Sequence, residues 1–108
     1  MSNPAHETIR SDVNDNPIFL YMKGTPEEPQ CGFSAQVVHV LNHYGVNYQS
    51  RNVLEDWEIR EGIKSFTNWP TIPQLYVKGK FVGGCDIIME MHRKEQLADV
   101  LKTVEEGK

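Results

Sequence analysis

The chain has 108 residues, a length that predicts a single domain. Lysine and arginine number 11 against 15 aspartates and glutamates, and the resulting formal charge of −4 argues against a nucleic-acid-binding protein. Hydrophobic residues make up 39% and charged residues 24%, a balance that excludes a disordered or membrane-spanning chain. The two cysteines, Cys31 and Cys85, are too few for a disulfide-rich secreted scaffold or a four-cysteine zinc site within one chain.

The ends of the chain carry no recognisable targeting signal. The first residues lack both the apolar run of a secretion signal and the arginine-rich character of a transit peptide. The longest apolar run, 18–22, is too short to cross a bilayer. We therefore expect a cytoplasmic, reducing setting without a membrane partner. The single domain should span 1–108, with its N-terminal helix within 1–16 and a frayed tail at 103–108.

Hydrophobic spacing and chain-breaking residues predict the order of the secondary structure. The expected elements are a helix at 5–15, a strand at 17–23, a helix after Cys31 closed by Gly45, a strand at 46–53, a helix at 56–66, strands at 74–77 and 81–82, and a helical segment at 85–106 broken near 93–95. The early strand–helix–strand unit predicts parallel strands, and the turn at Lys78-Gly79 predicts a hairpin. Together they indicate an α/β, thioredoxin-like fold with a four-stranded mixed sheet flanked by helices.

Apolar residues at helical spacing predict the buried face of the helix after Cys31. This stripe comprises Phe33, Val37, Val38 and Leu41. His39 and His43 lie opposite it at a spacing that also suits two metal ligands. We interpret them as a solvent-exposed face, because no glutamate follows His39 to complete the zinc-protease pattern. The other aromatic residues expected in or near the core are a partly buried Trp57 and, in the sheet, Tyr76 and Phe81.

Cys31 stands between a proline-containing loop and the start of a helix. The first-turn amides of a helix lack intrahelical partners, and its positive dipole end favours a thiolate. Gly32 allows a ligand to approach closely, and Ser34 occupies the place where a dithiol enzyme has its second cysteine. We therefore predict an activated, exposed thiol. Lys23, at the end of the first strand, either stabilises that thiolate, pairs with a carboxylate or is simply solvated.

Three motifs occur in order along the chain. They are Lys23-Gly24-Thr25-Pro26 followed by Cys31-Gly32-Phe33-Ser34, then Trp69-Pro70-Thr71-Ile72-Pro73-Gln74, and finally Gly83-Gly84-Cys85-Asp86. Together they resemble the signatures of the monothiol glutaredoxins of the CGFS type, in their bacterial single-domain form, and the match covers nearly the whole chain. The resemblance implies that Cys31 is both the reactive thiol and a metal ligand.

The same resemblance implies a glutathione site. Lys23 and Arg60 would bind the glycine carboxylate of glutathione, although by spacing alone Arg60 would be an ordinary exposed helix residue. Ile72, placed by the family before a cis-proline, would pair with the ligand through its main chain, so that its side chain would matter less. Cys85 and Asp86 would hold the γ-glutamyl end, although by position alone Asp86 would be a helix cap.

The expected function also depends on how many thiolates an iron–sulfur cluster requires. A [2Fe–2S] cluster normally takes four thiolates. Two chains supply two Cys31 side chains and two glutathiones supply the rest, so the resemblance implies a homodimer bridged by a cluster that is delivered to apo iron–sulfur proteins. It also implies heterodimers with BolA-type proteins. The alternative is a glutathione-dependent oxidoreductase that removes glutathione from protein mixed disulfides with Cys31 as nucleophile, an activity that we expect to be weak at most because Ser34 cannot resolve a disulfide.

Overall fold

The structure is a computed structural model that describes the backbone of residues 3–106 and side chains as far as residue 102. Its elements in chain order are α1 (Pro4–Asp15), β1 (Ile18–Met22), α2 (Gly32–Tyr44), β2 (Gln49–Asn52), a 3-10 turn (Val53–Glu55), α3 (Trp57–Thr67), β3 (Gln74–Val77), β4 (Lys80–Gly83), α4 (Cys85–Arg93) and α5 (Leu97–Glu106). The predicted break near 93–95 is confirmed. The described part does not include residues 1–2, at the start of the predicted N-terminal region, or residues 107–108, at the end of the predicted frayed tail. The backbone of 103–106 continues α5.

The four strands form one mixed sheet in the order β2-β1-β3-β4. β1 pairs with β2 in parallel, whereas β1 with β3 and β3 with β4 pair in antiparallel fashion. Lys78 and Gly79 have φ angles of 53° and 79°, as a tight hairpin turn between β3 and β4 requires. The predicted four-stranded mixed sheet and its hairpin are confirmed, and the first strand is one of the two central strands.

Alternation along β1 divides the core between the two faces of the sheet. Ile18, Leu20 and Met22 pack in one hydrophobic cluster, against residues of α2, α4 and α5. Phe19 and Tyr21 pack in the other, against residues of α1 and α3. Because successive side chains of a strand point to opposite faces, a central strand covered by helices on both sides must be apolar throughout. This explains the continuous apolar run in the sequence.

A three-residue polar network joins α1 to the sheet. Both carboxylate oxygens of Asp12 accept hydrogen bonds from the guanidinium of Arg51, each at 2.8 Å. The hydroxyl of the buried Tyr21 donates to Asp12 at 2.8 Å, and burial together with this carboxylate raises the pKa of the phenol. The network therefore ties α1 to both β1 and β2.

The second predicted strand has the wrong boundaries. The expected range was 46–53, but β2 is confined to Gln49–Asn52, and Val53 begins the 3-10 turn. The side chain of Asn52 accepts hydrogen bonds from the main-chain N–H groups of Leu54 at 3.0 Å and Gly24 at 2.9 Å. A short amide side chain that binds nearby main-chain groups in this way favours a turn over a continued strand.

Phe33, expected to be buried, and Trp57, expected to be partly buried, are both exposed instead. Phe33 is 58% exposed because it lies in the first turn of α2, which borders an open groove rather than the core. Trp57 is 68% exposed at the start of α3, where its ring faces the guanidinium of Arg60 at 6.0 Å. By contrast, Tyr76 is buried as expected, and the partly buried Phe81 packs against the same cluster.

The described residues also bear on the exposure of the two α2 histidines, on metal binding and on membrane-spanning helices. His39 and His43 are both exposed, as expected of a solvated helix face. Within residues 3–102, whose side chains the structure describes, no group of three or more histidine, cysteine, aspartate or glutamate side chains could hold a metal ion. In the same range, no helix is long and apolar enough to cross a membrane.

Candidate functional site

A groove of about 440 Å³ opens where β1 ends and α2 and α4 begin. The structure brings all six predicted site residues to its walls. The lining residues are Lys23, Cys31, Phe33, Arg60, Lys64, Trp69, Pro70, Thr71, Ile72, Pro73, Gly84, Cys85 and Asp86. They come from five separate parts of the chain, and the order of strands in the sheet assembles them.

Cys31 is the N-cap residue of α2 and is partly exposed. Burial alone would raise the pKa of its thiol. The main-chain N–H groups of Ser34 and Phe33, the charge of Lys23 and the Ser34 hydroxyl outweigh that effect, so the pKa of Cys31 lies below its usual value of 9.0. Both N–H groups belong to the first turn of α2, where main-chain amides lack intrahelical partners. The predicted activated thiol thus has a physical basis.

Positive charge dominates the walls of the groove. Three cationic side chains line it, those of Lys23, Arg60 and Lys64, against one acidic side chain, that of Asp86. Arg60 lies over the exposed ring of Trp57, which leaves its planar guanidinium at the groove. Such a site suits a small ligand with more carboxylates than ammonium groups.

Asp86 is the second residue of α4 rather than its cap, because the N-cap position is taken by Gly84. It is exposed at the rim of the groove. In this position its carboxylate can accept from a ligand ammonium, while the free N–H groups of the first turn of α4 can donate to a ligand carboxylate. The arrangement is able to bind both charged groups of an amino acid.

Ile72 presents its main chain and buries its side chain. The Ile72-Pro73 bond is cis, and within the described part of the chain no hydrogen bond uses the main-chain N–H or C=O of Ile72. These groups remain available to an extended peptide. The side chain has a packing role of its own, since it is 6% exposed and lies in the cluster between α1, α3 and the sheet; that it matters less for ligand binding stays a prediction.

Sequence comparison places these features in a known family. The family model for Glutaredoxin matches residues 18–82. The chain belongs to the glutaredoxins. It is 52% identical over 98 residues to "Monothiol glutaredoxin-S15, mitochondrial" of Arabidopsis thaliana, an alignment that covers 91% of this chain and 58% of that one. It is 50% identical over 105 residues to "Monothiol glutaredoxin-5, mitochondrial" of Lachancea kluyveri, covering 94% and 73%. These relatives make it a monothiol glutaredoxin.

Solved glutaredoxin structures share the fold. The solution structure of reduced poplar apo GrxS14 superposes with a TM-score of 0.80 at 39% identity, covering 92% of this chain and 91% of that one. A buckwheat glutaredoxin–glutathione complex superposes with a TM-score of 0.83 at 27% identity, covering 94% and 90%. The thioredoxin-like fold class predicted from the sequence is confirmed.

The comparisons leave two predictions untested, the compartment and the bacterial single-domain form. The chain spans 58% and 51% of the length of two of its plant relatives, and both have "mitochondrial" in their names. These relatives and the yeast protein are eukaryotic. The cytoplasmic setting and the bacterial single-domain form therefore stay predictions.

The two cysteines of this monothiol glutaredoxin differ in state. Cys85 is 9% exposed, and its thiol donates a hydrogen bond to the side-chain oxygen of Gln36 at 3.4 Å. Burial, followed by the charges of Asp86 and Cys31, raises the pKa of Cys85. Both cysteines are free thiols. The groove of the glutaredoxin thus holds one thiol with a lowered pKa and one with a raised pKa.

The loop before Cys31 is held by its own main chain. Thr25 and Glu28 exchange main-chain hydrogen bonds at 3.2 and 3.0 Å, and the N–H of Gln30 donates to the carbonyl of Lys23 at 2.9 Å. Gly24 has a φ of 93°, and a Cβ atom there would lie 2.5 Å from the carbonyl oxygen of Glu28. This close approach requires glycine. These main-chain contacts therefore define the path of the chain between Lys23 and Cys31, the two groove residues that the loop joins.

Phe33 and Trp69 are two of the groove-lining residues that the sequence did not assign to the site. Phe33 was assigned to the core, although its place two residues after Cys31 in the first turn could have indicated the groove. Trp69 lies opposite Gly84, where a Cβ atom would come within 3.0 Å of its indole nitrogen. Among the described residues, this buried nitrogen has no hydrogen-bond partner. The close approach of the segment at Trp69 to the residue before α4 explains why position 84 needs a glycine.

Proposed function

We propose that this monothiol glutaredoxin binds a [2Fe–2S] cluster together with glutathione and delivers it to apo-proteins. The observation that carries the proposal is the pairing of a single ionisable thiol, Cys31, with a cationic groove beside it. Thiolates are the ligands of iron–sulfur clusters. The second thiol, that of Cys85, is buried with a raised pKa and is not suited to the same task.

The number of ligands supports a shared cluster. A [2Fe–2S] cluster takes four thiolates, and one chain offers one suitable thiolate. Among the side chains described, those of residues 3–102, no group of histidine, cysteine, aspartate or glutamate could complete a metal site around Cys31. A homodimer with two bound glutathiones supplies the four. A cluster held half by small molecules exchanges readily, which suits a carrier of the cluster as cargo.

The groove fits glutathione by charge and by shape. Glutathione is an extended tripeptide with two carboxylates and one ammonium group. Lys23 and Arg60 would bind the glycine carboxylate, and the unpaired main-chain groups of Ile72 would pair with the peptide. The start of α4 with Cys85 and Asp86 would hold the γ-glutamyl end.

Anaerobic reconstitution tests this function. Protein incubated with iron, sulfide and glutathione should develop visible charge-transfer bands and elute as a dimer. Cys31→Ser should abolish both effects, whereas the control Cys85→Ser should keep the bands, because Cys85 is not proposed as a ligand. Colourless protein in the presence of glutathione, or unchanged bands in Cys31→Ser, would contradict the proposal.

The lowered pKa of Cys31 supports a second function, the removal of glutathione from protein mixed disulfides. The Cys31 thiolate attacks the glutathione sulfur, a new disulfide forms, and the client protein leaves as a thiolate. A second glutathione thiolate then attacks the sulfur of the bound glutathione, which releases oxidised glutathione and restores the Cys31 thiolate. High turnover of a glutathionylated protein would favour this enzyme over the carrier.

We also propose two kinds of protein partner for this site. A BolA-type protein would replace one subunit of the homodimer and supply its own ligand to the cluster. Cysteine-containing apo-proteins would receive the cluster by exchange for glutathione thiolates. Mixing the reconstituted dimer with a BolA-type protein should convert it to a heterodimer with shifted absorption bands, and an unchanged dimer would exclude this partner.

A further inference from the structure

Gln74, the first residue of β3, is a fully buried amide with four hydrogen-bond partners. Its nitrogen donates to the main-chain carbonyls of Trp69 and Thr71, each at 3.2 Å. Its oxygen accepts from the hydroxyl of Tyr76 and from that of Thr67, each at 3.1 Å, and Thr67 shares its hydroxyl with the carbonyl of Ile63 at 2.9 Å. Both N–H groups and both lone pairs of the side chain are therefore used.

The chemistry of the partners fixes which way this amide points. A carbonyl oxygen can only accept, so the two main-chain carbonyls must face the amide nitrogen of Gln74. The hydroxyl groups can donate, and they face its oxygen. The side chain is thus divided into a donor side directed at the loop 69–71 and an acceptor side directed at Tyr76 and the end of α3.

The donor side holds the loop that forms one wall of the groove. Trp69 is also bound through its own N–H, which donates to the carbonyl of Lys64 at 3.1 Å and to the hydroxyl of Thr67 at 3.2 Å. Thr71 is exposed, and of its polar groups the carbonyl is bound by Gln74. The next residue, Ile72, carries the unpaired main-chain groups that face a ligand.

We propose that Gln74 is a positioning residue for peptide binding. By holding the carbonyls of Trp69 and Thr71, it fixes the orientation of the main-chain N–H and C=O of Ile72 before a ligand arrives. The ligand class is an extended peptide that pairs with these groups, and for glutathione the inference rests on the proposed function. A ligand bound by main-chain hydrogen bonds gains affinity when the receiving strand is preorganised.

Burial of an amide in a strand that is otherwise apolar favours this role over simple packing. The other residues of β3 are Leu75 and Val77, in the hydrophobic cluster beside α2, and Tyr76, in the cluster beside α1 and α3. An unbranched apolar side chain such as methionine would fill the volume of Gln74 without the need for four partners. Methionine has no N–H donor, however, so it cannot hold two carbonyl groups in place.

The test compares the two sides of this amide. Gln74→Met removes both sides, and Gln74→Glu keeps the acceptor oxygen while replacing the two N–H donors by at most one O–H, so that at least one carbonyl loses its donor. The control Tyr76→Phe removes one acceptor-side bond and leaves the donors intact. Binding of reduced glutathione is measured by calorimetry, and backbone order parameters of residues 69–72 are measured by NMR in the ligand-free protein.

We expect both Gln74 variants to bind glutathione about tenfold more weakly or worse, with order parameters of 69–72 falling below about 0.6. Tyr76→Phe should lower the melting temperature but keep the affinity within about twofold. The pKa of Cys31, read from the pH dependence of alkylation, should be the same in all variants. Equal affinity and order in Gln74→Met and Tyr76→Phe would overturn the inference and leave Gln74 a structural role.

Two further outcomes are distinguishable. If the unmodified protein does not bind glutathione, the proposed function fails, while the order parameters of 69–72 still decide whether Gln74 holds the loop. If Gln74→Met does not fold, Gln74→Glu decides the question, because it retains the contacts to Tyr76 and Thr67. A folded Gln74→Glu protein with native affinity and native order would overturn the inference.

Discussion

The hydroxyl of the fully buried Ser34 accepts a hydrogen bond from the main-chain N–H of Lys23 at 3.1 Å. This contact ties the first turn of α2 to the end of β1, and it brings Lys23 close to the thiol of Cys31. The Ser34 side chain also contributes to the lowered pKa of that thiol. Ser34 is therefore part of the structure that activates Cys31 rather than an idle substitute for a second cysteine.

Substitution of Ser34 should affect both stability and the thiol. We expect Ser34→Ala to lower the free energy of unfolding by about 1–3 kcal/mol, since it leaves a buried N–H without its acceptor. It should also raise the pKa of Cys31. Urea denaturation and the pH dependence of alkylation measure the two effects. The exposed Ser11→Ala serves as control, and an unchanged Cys31 pKa in Ser34→Ala would contradict the assigned role.

The opposite pKa shifts of the two cysteines predict selective modification. Because the pKa of Cys31 lies below 9.0 and that of Cys85 above it, iodoacetamide at neutral pH should modify Cys31 first. The rate at Cys31 should fall as the pH drops through its lowered pKa, since the thiolate is then lost. Peptide mass spectrometry measures both sites. Faster labelling of Cys85 would show that the assignment is reversed.

Removal of the charge on Lys23 should weaken this selectivity. Lys23→Gln takes away a positive charge that stabilises the Cys31 thiolate, so the pKa of Cys31 should rise and its alkylation at neutral pH should slow. The matched control is Lys78→Gln, which removes an exposed lysine in the distant β3–β4 turn. Equal alkylation rates in the two variants would show that Lys23 has no effect on the thiol.

The network around Asp12 predicts a stability effect far from the groove. Its carboxylate is 14% exposed and holds both Arg51 and Tyr21. We expect Asp12→Asn to lower the free energy of unfolding by about 1–2 kcal/mol, a loss moderated by the partial exposure of Arg51. Asp15→Asn, an exposed position on the same helix, is the control for urea denaturation. Similar midpoints for the two variants would refute the role of Asp12.

Two glycines close to Cys31 should respond very differently to alanine. Gly24→Ala places a Cβ atom 2.5 Å from the Glu28 carbonyl at a positive φ, so we expect a loss of about 1–3 kcal/mol. Gly32→Ala meets no atom within 4 Å and lies in α2, where alanine favours the helix, so it should be neutral or stabilising. Thermal unfolding compares them. Equal melting temperatures would contradict the strained loop described for Gly24.

Local patterns in the sequence were enough to predict the order of elements and the family. The apolar run of β1 and the hairpin turn at Lys78-Gly79 depend on neighbours along the chain, and so does the helix start at Cys31. Such features follow from backbone preferences and side-chain periodicity. The three motifs added the family, since their spacing is a property of the sequence itself.

The tertiary structure decided how these parts face one another. Asp12 and Arg51 are 39 positions apart, and Cys85 and Gln36 are 49 apart, so neither contact has a sequence signal. The exposure of Phe33 and Trp57 also escaped the helical pattern, because periodicity identifies one face of a helix but not where the core beneath that face ends.

By itself, then, the sequence determined which residues could carry thiol chemistry, and above all that Cys31 begins a helix. Only the tertiary structure decided that one cysteine is ionisable and the other buried, and that the amide of Gln74 holds the loop before Pro73. The physical reason is that burial, charge and hydrogen bonding depend on distances across the sheet, which are set by strand order and packing rather than by neighbours in the chain.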